Sequence, residues 1–247
     1  CNFLCSTGSI AHESNNSMTI LYSNGCSFTG NNLVDRHCRY PLIVGQHFGW
    51  AVHDHALPGT CNTKIIRCTI RDCLGLLQNN EKITALIQLT FLERWEYAGD
   101  PDGANSWQYQ DNDQFETIKS LDEKNWPSEI KNYVKQICVS QRSNALYAQL
   151  FSNLVGLICF FKTHKIDYCI FSGPDTLNKN VILQDSFYQY LKTDPNILSL
   201  TDFYMLALSG TENGKMSHPT QEGMQRIADF FIKLLGAMPV TPSAAPV

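Results

Sequence analysis

Short apolar runs alternate along this chain with stretches of helical periodicity, and that alternation limits the fold more than any other feature. Five runs read as strands, at roughly 19–24, 50–56, 83–90, 166–172 and 197–201. Between them, residues 62–78 carry Ile65, Ile66, Thr69, Ile70, Cys73, Leu76 and Leu77 at helical spacing. Residues 143–162 are apolar nearly all round, as a largely buried helix would be. Residues 220–235 place Met224, Ile227, Ala228, Phe231, Leu234 and Leu235 on one face, and Gly236 stands where a helix-ending glycine belongs. Strands that take turns with helices predict a parallel sheet covered on both sides. One sheet accounts for all of them, so the expectation is one α/β domain with a central parallel five-stranded sheet, over 18–236.

Composition removes several classes. A chain of 247 residues is long enough for one substantial core. Nineteen basic against 23 acidic side chains argue against a nucleic-acid partner, which calls for a basic excess or stripe. The longest wholly apolar stretch, Leu154 to Phe161, is too short to span a bilayer, so no membrane is expected. The first seventeen residues are rich in Ser and Asn, without the basic and apolar regions of a signal peptide. They read as an N-terminal extension, with Met18 as one candidate start. Residues 237–247 read as a Pro/Ala tail. A cytoplasmic location is the expectation, with virion association as an alternative.

One stretch breaks the rhythm. From Glu93 to Glu123 there are nine acidic residues and two basic ones, interleaved with Trp95, Tyr97, Trp107, Tyr109 and Phe115. It reads as an insertion after the third strand, either a wall facing substrate or an acidic solvated flap. Asp100, Asp102 and Asn105 do not meet the spacing of a calcium loop.

Three loop motifs follow strands. Asn24-Gly25-Cys26-Ser27-Phe28-Thr29-Gly30 comes directly after the first. In a parallel α/β sheet, chemistry gathers at the carboxyl ends of the strands. A serine there, among small residues that permit a tight turn, can offer both its hydroxyl and its backbone N–H. Alone, such a turn is most often only a turn. Ala56-Leu57-Pro58-Gly59-Thr60-Cys61-Asn62 follows the second strand. The N–H of Gly59 can serve as an oxyanion donor, and Asn62 is either a further donor or the cap of the next helix. Ser217-His218-Pro219-Thr220-Gln221-Glu222-Gly223 opens the final helix, and imidazole is the usual base for a serine nucleophile.

Together, these blocks resemble the SGNH (GDSL-type) hydrolases, especially a divergent, often phage- or microbe-encoded branch with a Gly-Cys-Ser-Phe-Thr block. The likeness runs from about Met18 to Gly236 and includes Arg39-Tyr40-Pro41 before a helix. It implies a three-layer, flavodoxin-like fold, with Ser27 as nucleophile and His218 as base. It also implies an oxyanion hole drawing on the Ser27 and Gly59 N–H groups, and hydrolysis of small-molecule or glycan esters without a cofactor. Two positions depart from the family pattern. Its third block supplies an asparagine donor, whereas here the third strand ends Ile87-Gln88-Leu89-Thr90-Phe91-Leu92-Glu93-Arg94, leaving Thr90 or Arg94 as substitutes. The acid that orients the histidine normally lies three residues before it, and that place holds Lys215, so Glu212 and Asp202 are the candidates. A non-catalytic module of the same fold and an acyltransferase are the competing readings.

Two further features are weaker. His53 and His55 share one face of a strand, a spacing that can bind zinc, but no third ligand is evident in the sequence and no metal is expected. Asp175, in Ser172-Gly173-Pro174-Asp175, follows the fourth strand and belongs first of all to a turn. The ten cysteines lack any Cys-x-x-Cys and fall mostly inside elements, as small core hydrophobes in a reducing compartment. Cys26, beside Ser27, is expected to react with thiol reagents at the expense of activity.

Overall fold

The computed structural model describes residues 18–30, 34–90, 92, 94–98, 115–119, 128, 143–172, 186–198 and 218–237. Its main sheet contains β1 (Thr19–Asn24), β2 (Ala51–Asp54), β3 (Lys82–Leu89), β6 (Asp167–Ser172) and β7 (Ile197–Leu198). All neighbours in it are parallel, in the order β2-β1-β3-β6-β7. Counting these five in chain order, this is the 2-1-3-4-5 arrangement of flavodoxin-like sheets, whose direction of winding reverses between β1 and β3. The expected fold class is the observed one.

Period-two alternation feeds both faces of the sheet. Tyr22, Ala85, Ile87, Tyr168 and Ile170 point to one core, and Leu21, Leu86, Cys169 and Phe171 to the other. The first core is closed by α2 (Asn62–Gln78) and α3 (Ser143–Thr163), the second by α1 (Tyr40–Phe48) and α5 (Gln221–Ala237). A short α4 (Ser186–Lys192) precedes β7. Met224, Ile227 and Phe231 of α5 are fully buried, each stabilising the fold by about 1.5–3 kcal/mol relative to exposure. In α1, Gly45 lies where a Cβ would overlap the Val52 side chain, which lets the helix sit directly on the edge strand β2.

Three local expectations change. Gly236 lies inside the last turn of α5 rather than beyond it. The N-cap of α2 is Cys61, whose Sγ accepts from the Lys64 N–H at 3.5 Å, and Asn62 is already the first helical residue. A thiol is a weak acceptor, so here the neighbouring strand, not the cap, decides what Asn62 binds. The third change concerns α3: its 21 residues include an 18-residue window, Leu146–Thr163, apolar enough by composition to cross a membrane. Yet Leu150, Phe151, Leu154, Leu157, Ile158 and Phe161 pack into the first core, while Gln149, Ser152, Gly156 and Cys159 are exposed. It is a one-faced core helix rather than one buried all round, and Cys159 is accordingly a surface thiol.

The acidic insertion supplies a separate antiparallel pair, β4 (Arg94–Ala98) and β5 (Phe115–Lys119), with Arg94 opposite Lys119 and Ala98 opposite Phe115. Residues 99–114, including the aspartates considered for calcium, lie outside the described residues, as do 1–17, 238–247 and Asp175.

Candidate active site

The turn after β1 is built around one buried side chain. Gln88, fully buried near the end of β3, accepts through Oε1 from the Cys26 N–H (3.3 Å) and the Thr29 hydroxyl (2.8 Å). Its Nε2 donates to the Leu89 carbonyl (3.0 Å) and the Cys26 Sγ (3.2 Å). Asn24 Oδ1 accepts from the Gly25 N–H at 2.8 Å, and Cys26 O accepts from both Thr29 and Gly30. Thr29 also pairs with the Tyr40 hydroxyl at 2.9 Å. A Cβ on Gly25 would stand 2.7 Å from the Gln88 Cβ, so only glycine lets the chain pass so close to β3.

The consequence is an accounting one. The N–H groups of Gly25, Cys26, Thr29 and Gly30 are all spent, whereas those of Ser27 and Phe28 take no partner among the described residues. Within the run Ile20–Gly30, Ser27 alone is not buried. Its hydroxyl likewise bonds nothing among the described residues.

The loop after β2 is stitched to this turn. The His55 N–H donates to Ser23 O (2.9 Å), and the Leu57 N–H to Gly25 O (3.1 Å). Gly30 sits against the Ala56 carbonyl, with no room for a Cβ. Gly59 follows Pro58 with φ of 83°, a left-handed conformation that side-chain-bearing residues rarely adopt. Gly59 is buried, yet its N–H takes no partner among the described residues. Unpaired buried N–H groups are rare, and two donors on adjoining loops suit a developing oxyanion.

Asn62 meets the third strand's end. Its Oδ1 accepts from the Thr90 N–H (2.7 Å), and its Nδ2 donates to Thr90 O (3.0 Å). This two-way pairing fixes the amide plane and leaves Asn62 one N–H hydrogen uncommitted. Thr90, one of the expected donors, is fully buried, and its peptide N–H and C=O hold the Asn62 amide in place.

The final motif arrives from the other face. Thr220 caps α5, its Oγ1 accepting from the Gly223 N–H at 3.2 Å. That places His218, half-buried, just ahead of the helix. Its ring lies 5.5 Å from that of Phe28, at 34°. The residue after Ser27 thus touches the imidazole. Ser27, Gly59, Asn62, Thr90 and His218 all lie at the carboxyl edge of the sheet, around the β1/β3 reversal. For Arg94 only the backbone is described, and Glu212 and Asp202 lie outside the described residues.

Gln88 is the functional residue that the sequence reading passed over. A glutamine in an apolar strand after a Gly-Cys-Ser turn is the signal that pointed to it.

Cys26, in the turn before Ser27, is fully buried with its sulfur against Gln88, so the expected reactivity of Cys26 does not hold. No disulfide joins cysteines among the described residues. Burial pushes the thiols of Cys73 and Cys169 up to about 12, which keeps them protonated and unreactive. Under native conditions iodoacetamide should therefore modify Cys159 well before Cys26, Cys73 or Cys169, as peptide mass mapping would read. Equal rates at Cys26 and Cys159 would mean that the turn opens.

These elements define a doubly wound α/β protein with a serine, a histidine and unengaged backbone donors at its switch edge. Among solved structures, the chain is similar to a putative lipolytic protein of the G-D-S-L family from Desulfitobacterium hafniense DCB-2, at 15% identity over 87% of this chain and 98% of that one, with a TM-score of 0.47. It is also similar to a psychrotrophic esterase from Pseudoalteromonas sp., at 13% identity over 88% and 98% of the two chains, with a TM-score of 0.45. A third is a carbohydrate esterase whose active site has divergent catalytic and non-catalytic binding functions, at 14% identity over 91% of this chain and 70% of that one, with a TM-score of 0.47. No protein-family model and no curated protein matches the chain.

Proposed function

We propose that this chain is a serine ester hydrolase of SGNH type, with Ser27 as nucleophile and His218 as base. The observation that carries the reading is the pair of unengaged N–H groups, at Ser27 and Gly59, on loops sewn together beside the histidine. In the reaction, Ser27 Oγ adds to the acyl carbon while His218 takes its proton. The carbonyl oxygen gathers negative charge against the two N–H groups, and the remaining Asn62 N–H is the third donor in place of the family's missing asparagine. Collapse expels the alcohol, which leaves with the proton held by His218. Water then repeats the sequence on the acyl-Ser27 ester and returns the free enzyme with a carboxylic acid.

The substrate is an acyl or acetyl ester on a carbohydrate. The acidic insertion carries Trp95, Tyr97, Trp107 and Tyr109, residue types that stack on sugar rings. A second reading has one observation in its favour: the third block has no asparagine, and the Thr90 peptide is paired with Asn62. On that reading the fold binds its ligand without turnover.

An active-site-directed fluorophosphonate separates the two. One adduct per chain on Ser27, absent in Ser27→Ala, is the expected result. A wild-type protein that remains unlabelled, and that turns over no short acyl ester, would establish the non-catalytic reading.

A further inference from the structure

On the α2 face of the edge strand lies a cluster that the ester chemistry does not use. His53 and His55 alternate along β2 and its extension, so both rings stand on one face, stacked with centroids 6.4 Å apart and planes 6° from parallel. Tyr22 of β1 stacks on His53 from the other side, at 5.5 Å and 18°. Asp72 projects from α2 to meet them. Its Oδ2 is 3.1 Å from His55 Nδ1 and accepts from the Tyr22 hydroxyl at 3.0 Å, while its Oδ1 accepts from Arg71 Nε at 2.9 Å. One ligand atom from each of His53, His55 and Asp72 lies within 4.8 Å of the others. The third ligand that the sequence did not reveal sits on a different element.

We propose that His53, His55 and Asp72 form a divalent transition-metal site, with zinc as its ion. Two imidazoles and a carboxylate are a donor set that zinc accepts at about 2.0–2.2 Å per bond, leaving its fourth position to water. Donors that share such an ion stand about 3.2–3.6 Å apart, so the His55–Asp72 pair is already close to that spacing and His53 has only a short way to close. Asp72 is anchored by Tyr22, the outer hydrogen bond that usually accompanies a ligating carboxylate. Entry is from solvent: His53 is exposed, whereas the side chains of His55 and Asp72 are 15% and 11% exposed. A bound ion would tie the edge strand β2 to α2, the two elements that flank the Gly59 loop.

The test uses the full-length chain and zinc chloride. Isothermal titration should give one zinc per chain, and a hundredfold excess over Kd should raise Tm by about 5–10 °C. His53→Ala, at an exposed position, should fold normally and weaken binding about 10–100-fold. Asp72→Asn should do the same, and the control His164→Ala, at the exposed turn just after α3, should bind as wild type. Cobalt in place of zinc should show the intense visible bands of a four-coordinate site, lost in His53→Ala. The proposal is overturned if no stoichiometric zinc binds, or if His53→Ala binds it as tightly as the wild type. These outcomes are independent of Ser27 labelling.

Discussion

Ser27→Ala is expected to lower the turnover of a short acyl ester by roughly 10³–10⁶, and His218→Ala by a similar factor. The expectation rests on what each residue touches. Ser27 is half-buried at the tip of a turn whose other N–H groups are mostly committed, so alanine leaves the turn intact and removes only the proposed nucleophile. His218 packs its ring against Phe28, the residue after Ser27, and on the proposed mechanism its removal takes away the base. Because the two act in one step, the double variant should be no slower than the worse single one. Both variants should unfold at wild-type temperatures within about 1 °C or 2 °C, since neither side chain belongs to a core cluster. Multiplying losses in the double variant, or full turnover in Ser27→Ala, would remove Ser27 from the mechanism.

The sheet was legible because its strands fall on short, largely apolar runs between turn residues, a pattern that survives without knowledge of neighbours. β1 begins and ends where its apolar run does, and α2 spans the 62–78 predicted from its periodicity. Ser27, Gly59 and His218 were legible for a related reason: each follows a strand or precedes a helix at the edge where parallel sheets bind ligands. What escaped was set by partners distant in sequence. Asn62 looked like a cap because caps are local, yet its amide is claimed by Thr90 on another strand. Asp72 went unnoticed as a third ligand because it lies on another element, where Tyr22 and His55 converge on it. Gly236 looked like a terminator, but a glycine at a helix end stops the helix only when the chain turns left-handed there, which a sequence does not state. Cys26 looked reactive because it stands beside Ser27 in sequence, while its own side chain faces Gln88.

Gln88 carries the largest stability effect to be expected of a single polar residue here. Replacing it by leucine keeps the volume but leaves the Cys26 N–H without its acceptor in a site with no exposure to water. It also leaves the Thr29 hydroxyl with Tyr40 alone. Each orphaned buried group costs about 1–3 kcal/mol, so Gln88→Leu should destabilise the fold by about 2–4 kcal/mol, or roughly 5–15 °C in Tm. Catalysis should fall as well, because the Ser27 N–H keeps its direction only while Gln88 holds the turn against β3. The companion variant Thr29→Val decides whether the hydrogen bond, rather than shape, is responsible. Removing both ends of the Thr29–Gln88 bond leaves fewer orphaned groups than removing Gln88 alone. Thr29→Val in the Gln88→Leu background should therefore cost less than it does in the wild type. Urea unfolding of the four proteins measures the difference directly. Strict additivity would mean that Gln88 acts by filling space, and the orientation of Ser27 would then have to come from the glycine contacts at Gly25 and Gly30 alone.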